Sequence, residues 1–142
     1  MTITNYMKKI LPLLVFLLLL SCQKELAATS ENINAVFDTQ DFSIRYVILE
    51  NEEHRMSFMN NVMAYFGPEE TIRKELSYDE AILINTFVQD RFQNRNQTAA
   101  KTDQLIIYND TKKVVFETAA FEKEFETLLQ QLDIPYVSAK KK

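Results

Sequence analysis

Residues 41–68 read DFSIRYVILENEEHRMSFMNNVMAYFGP, and the fold turns on how this stretch is divided. Its first part alternates. Phe42, Ile44, Tyr46 and Ile48 fall on one side, Ser43 and Arg45 on the other, and β-branched residues are frequent, which predicts a strand over 42–49. The alternative is a helix running straight through to Phe66, because no Gly or Pro interrupts; the domain would then be mostly α. Beyond Asn51 the pattern reads as helical. Asn51 can cap a helix whose first turn carries Glu52 and Glu53, and Gly67–Pro68 ends it. Met56, Met59, Met63 and Phe66 then form one stripe, with Phe58, Val62 and Tyr65 forming a second. A helix apolar over so much of its circumference is buried or covered by a partner. Methionine adapts its shape and is over-used at binding surfaces, so Met56, Met59 and Met63 are candidate partner-binding residues, with ordinary core filling as the competing reading.

The rest of the chain is more plainly marked. Ser77 and Glu80 form a capping box that opens a helix to about Asn94, with Ala81, Ile84, Phe87, Val88 and Phe92 at helical spacing. Gln104–Tyr108 and Lys113–Thr118 read as a hairpin turning through Asn109, Asp110, Thr111 and Lys112. Phe121, Phe125, Leu128, Leu129 and Leu132 line one face of a last helix, which Pro135 ends. The expected order is β-α-α-β-β-α: a small single α+β domain over 39–136, with about three helices packed on a short antiparallel sheet or hairpin.

Length and composition agree with one domain. The chain has 142 residues, of which 46% are hydrophobic and 11% aromatic, enough for a core. A single Gly favours helices, disfavours a many-stranded sandwich or barrel, and excludes glycine-rich phosphate loops, dinucleotide fingerprints and GxSxG nucleophile elbows. From residue 22 onward, 14 basic side chains face 20 acidic ones, a poor balance for nucleic acid binding.

Upstream, Lys8 and Lys9 precede an apolar run, Ile10–Leu20, too short to span a bilayer as a helix. It closes on Leu19-Leu20-Ser21-Cys22, and Cys22 is the only cysteine. This arrangement resembles the lipobox of bacterial lipoproteins. The resemblance covers about the first 22 residues and implies a signal peptide over 1–21, cleavage between Ser21 and Cys22, and a covalent lipid on Cys22. Lipoprotein leaders often begin Met-Lys-Lys, which makes Met7 an alternative start. Gln23, rather than Asp, follows the cysteine, which in enterobacterial lipoproteins directs the protein to the outer membrane; CQKE is also faintly similar to surface-export signals of the Bacteroidetes. Residues 22–38, polar and weakly periodic, read as the lipidated Cys and a flexible tether, and 137–142 as a basic tail.

Catalytic and metal-binding patterns are hard to assemble from these residues. His54, the only histidine, falls near the start of the expected 52–66 helix as a solvated residue, with no second His or free Cys to join it. Carboxylates are plentiful, but nothing pairs two of them across a cleft, and no DxDxDG-type loop is present for calcium. The expectation is a non-enzymatic, cofactor-free lipoprotein of the cell envelope, held at the membrane by its lipid. It would act by protein–protein contact as an accessory or assembly subunit of an envelope or secretion machine. An immunity or inhibitor lipoprotein that neutralises a toxin, or a lipoprotein binding a small ligand or glycan, are the alternatives.

Overall fold

The computed structural model describes residues 23–141; the leader, Ser21 and Cys22 lie outside the described residues. The described chain is a small α+β domain, but in place of the expected short antiparallel sheet or hairpin it has one seven-stranded mixed sheet, covered on one face by three helices. In chain order the elements are β1 (Lys24–Leu26), α1 (Ser30–Phe37), β2 (Asp41–Ile48), β3 (Glu52–Met59), β4 (Val62–Phe66) and β5 (Thr71–Glu75). Then follow α2 (Tyr78–Gln93), β6 (Thr102–Tyr108), β7 (Lys112–Ala119) and α3 (Glu122–Gln131). The strands lie in the order β1-β7-β6-β2-β3-β4-β5; all neighbours are antiparallel except β1 and β7.

The strand expected over 42–49 forms as β2, but the helix expected over 52–66 does not. That segment is the β3–β4 hairpin, in register Met59↔Val62, Phe58↔Met63 and Met56↔Tyr65. The same residues satisfy a period of two: Glu52, His54, Met56 and Phe58 point inward from β3, and Met63 and Tyr65 from β4. Asn60, at φ 55°, and Asn61 make the turn, since asparagine tolerates the left-handed conformation that a two-residue connection needs. Gly67 ends β4 where the Tyr65 ring passes; a Cβ there would meet the Tyr65 hydroxyl at 2.9 Å.

The tether expected over 22–38 is folded from its third residue. Lys24–Leu26 pairs with Lys112–Val114, and α1 follows with Thr29 as its cap, accepting from the Asn32 amide at 3.1 Å. Two positions in that polar stretch, Ile33 and Val36, are fully buried, and a single helical turn suffices to bring both to the sheet. The capping box, the hairpin through Asn109–Thr111 and the last helix form as expected. Buried Asp103 accepts from the Phe121 amide at 2.8 Å and so fastens the residue that precedes α3 to the neighbouring strand; burial raises its carboxyl above the usual range, against the pull of that bond.

Between sheet and helices, Ile44, Tyr46, Met56, Leu105 and Ile107 meet Ile84 and Val88 of α2 and Phe125 and Leu129 of α3. Tyr46 contacts Phe125 with ring centroids 4.5 Å apart, and Phe92 packs edge-on to Phe116 at 5.3 Å. The other sheet face is polar and partly open. There Arg45 makes a two-pronged pair with Glu53, at 2.7 and 2.6 Å, and the Arg55 guanidinium lies 4.2 Å from the Phe66 ring centre.

Candidate functional site

Strand register gathers one set of chain ends together. The starts of β1, β2, β4 and β7 and the ends of β3, β5 and β6 all lie at the same end of the sheet. Here the Asn60 amide donates to the Gln40 carbonyl, and Leu76 leads from β5 into α2. Between the C-terminus of α1, the β3–β4 turn and the first half of α2 lies a cleft of about 510 Å³. Phe37, Phe42 and Phe58 provide its aromatic wall: Phe42 stacks on Phe58 at 4.6 Å and meets Phe37 edge-on at 5.2 Å. Asn60, Asn61 and Asn85 supply amides around it, and Tyr78 stands at its edge. None of the lining side chains carries a formal charge, although a quarter of the chain is charged. Such a cleft suits an uncharged group, because it offers contact area and neutral hydrogen bonds but no counter-ion.

A second cluster, at the opposite end, is closed. His54 is fully buried, a correction to its expected place on a solvated helix face: in β3 it is an inward position. Its Nε2–H donates to Glu52 Oε1 at 2.8 Å, and its Nδ1 accepts from the Tyr65 hydroxyl at 2.6 Å. The carboxylate, which can only accept, sets that tautomer. Glu52 Oε2 accepts from the Ser138 hydroxyl at 2.8 Å, and the Tyr136 ring lies over the imidazole at 5.7 Å. Burial lowers the His54 pKa below its ordinary value, with the Glu52 bond opposing, and burial raises that of Tyr65. Both hydroxyl protons are engaged inside the network and the ring meets no solvent, so these residues tie down the C-terminal segment and present no reactive atom to a substrate. Of the segment expected as a basic tail, 137–142, Ser138 and Lys140 are docked on the domain: Lys140 Nζ donates to the carbonyls of Leu49 and Glu50, in a turn where Leu49, Glu50 and Asn51 all have positive φ.

The residues singled out from the sequence are dispersed. Ser21 and Cys22 lie outside the described residues. Met56 and Met63 are fully buried in the core, whereas Met59 is 65% exposed at the hairpin tip, so the three share no surface. Their helical spacing is coincidental with strand positions 56 and 63, which face inward, and 59, which faces outward. The cleft residues escape a sequence reading because they come from three separate elements. The only local hint is an aromatic residue, Tyr78, directly after a helix cap, a position that packing rarely claims. Among the described residues no group of three or more His, Cys, Asp and Glu side chains could hold a metal ion. Neither a protein-family model nor a curated protein matches the chain.

Proposed function

We propose that this chain is a lipid-anchored accessory protein of the cell envelope, seated at the outer membrane, that acts by protein–protein contact rather than by catalysis. A partner would insert an uncharged, apolar side chain into the cleft between α1, the β3–β4 turn and α2. The carrying observation is that cleft: three phenylalanines and a ring of amides, free of charge in an acidic chain and open to solvent. Burying one apolar side chain there contributes about 1.5–3 kcal/mol, a size at which one anchor residue governs a contact. The cleft's volume also falls within the range of small-molecule sites, which favours ligand or glycan binding as the second reading.

The test is a cross-linked pull-down from native membranes with the lipidated protein and an Asn85→Arg form, whose long cationic side chain would occupy the cleft. Asn85 is exposed on α2, so folding is expected to be unchanged. A stoichiometric partner captured by the first and lost from the second supports the reading. Equal capture by both forms removes the cleft from it. A small molecule that raises the parent's thermal stability, by about 2.7 kcal/mol at 100 times its Kd, but leaves the Asn85→Arg form unchanged, would favour the second reading instead.

A further inference from the structure

We infer that the end of the sheet carrying the cleft rests on the lipid surface, docked there by Met59, Val62, Tyr78 and Ile82; this rests on the lipid-anchor reading of Cys22. Two independent observations converge. The first is where the chain enters the fold. Only Gln23 separates Cys22 from Lys24, the first residue of β1, and two residues of chain reach at most about 7 Å. Gln23 is itself fastened, its side-chain amide donating to the Asn109 carbonyl at 2.7 Å, and the Lys24 amide donates to the Thr111 carbonyl at 2.9 Å. A lipid on Cys22 therefore leaves no slack between bilayer and domain, and brings the β6–β7 turn end of the sheet to the headgroups.

The second observation concerns what is displayed at that end. Among the described residues the large hydrophobic side chains that stand exposed are Met59, Val62, Tyr78 and Ile82, at 65%, 45%, 80% and 44%. Met59 and Val62 flank the Asn60–Asn61 turn, and Tyr78 and Ile82 occupy one face of the first turns of α2. All four belong to the end of the sheet at which β1 begins. The opposite end instead carries the Leu49–Asn51 turn and Lys140, about 25 Å away along the eight residues of β2. Tyrosine and methionine at a lipid boundary keep an apolar body in the acyl region, and tyrosine keeps its hydroxyl wet.

Charge argues that the contact is apolar. Asp38, Asp41, Asp79 and Asp110 stand at this end beside Lys24 and Lys112, so attraction to anionic headgroups is not the driving term. The C-terminal lysines, the residues best suited to such attraction, begin at the far end. A partner entering the cleft would then have to come from the same membrane or lie along its surface.

The experiment uses the full-length protein, lipidated in cells, purified and returned to phosphatidylcholine vesicles. Single substitutions Met59→Cys, Tyr78→Cys and Asn96→Cys carry an environment-sensitive fluorophore, with Cys22 blocked by its own lipid. Mass spectrometry of the N-terminal peptide reads the lipid directly. The expected result is at least twofold quenching of labels at 59 and 78 by acyl-chain-brominated lipid, insensitive to salt, with the label at 96 unaffected. If Cys22 carries no lipid, the anchor reading and this inference fall together. If Cys22 is lipidated but labels at 59 and 78 respond no more than that at 96, the orientation alone is overturned. Protection at 59 and 78 that appears only when a membrane protein partner is added also overturns it, assigning this end to protein docking.

Discussion

Truncating the three methionines one at a time separates the hairpin from the helix that their spacing suggests. Met56 is fully buried between sheet and helices, and its sulfur lies 3.4 Å from the Tyr46 hydroxyl, which donates to it. Met56→Ala removes three heavy atoms from a close-packed site, at a cost of about 2–5 kcal/mol for a buried methionine. It also leaves the Tyr46 hydroxyl, itself fully buried, without that acceptor, which places the expected loss in the upper half of the range, about 3–5 kcal/mol. Met63→Ala, equally buried but without a hydroxyl on its sulfur, is expected to cost about 2–4 kcal/mol. Met59→Ala, at the exposed hairpin tip, is expected to stay within about 0.5 kcal/mol of the parent. The chain has no tryptophan, so urea unfolding is best followed by far-UV circular dichroism. At about 3–5 °C per kcal/mol for a domain of this size, thermal midpoints should drop by about 9–25 °C for position 56, by about 6–20 °C for position 63, and hardly move for 59. A large loss at Met59, or a small one at Met56 and Met63, would refute the inward and outward assignment of β3 and β4.

The buried network at the other end yields two further tests. His54 is the sole histidine, so a single imidazole resonance reports it by NMR; its midpoint should lie below the ordinary 6.5, and a midpoint at or above 6.5 contradicts the burial argument. Because the folded pKa is the lower one, the unfolded chain binds the proton more readily. His54's stabilising contribution is therefore complete above about pH 6.5 and declines as pH falls from there toward the folded value, visible as a lower urea midpoint at about pH 5.5 than at about pH 7.5. Glu52→Ala strips the acceptor from His54 Nε2–H and from the Ser138 hydroxyl, at an expected cost of about 2–4 kcal/mol. It should also release the C-terminal segment, so that carboxypeptidase trims residues beyond Tyr136 roughly tenfold faster; an unchanged trimming rate would show that Glu52 does not hold that segment.

Where the chain punctuates itself, local reasoning reaches the structure. The Ser77–Glu80 box, the Asn109–Thr111 turn, the alternation of β2 and the stripe of α3 each draw on interactions within a few residues, and each forms as read. Single-domain α+β character follows from the same signals. The sequence predicts three helices and the described residues form three α-helices, but not the same three: α1 stands in for the helix lost at 52–66.

What only tertiary structure decided is the middle of the sheet and both ends of the described segment. Residues 52–66 satisfy both a 3.6-residue and a two-residue period, and the tie is broken by β2, whose free edge pairs with β3 over eight residues. Lys24–Leu26 has no strand character of its own and is ordered by the backbone of β7, at the far end of the sequence. His54 and Glu52 are buried because the C-terminal segment folds back over them, an arrangement that no neighbouring residue announces. The cleft depends on Phe37, Phe58 and Tyr78 arriving from a helix end, a hairpin and a helix start. A side chain's periodicity can say that it has two faces; which of them meets protein and which is left open depends on where the rest of the chain packs.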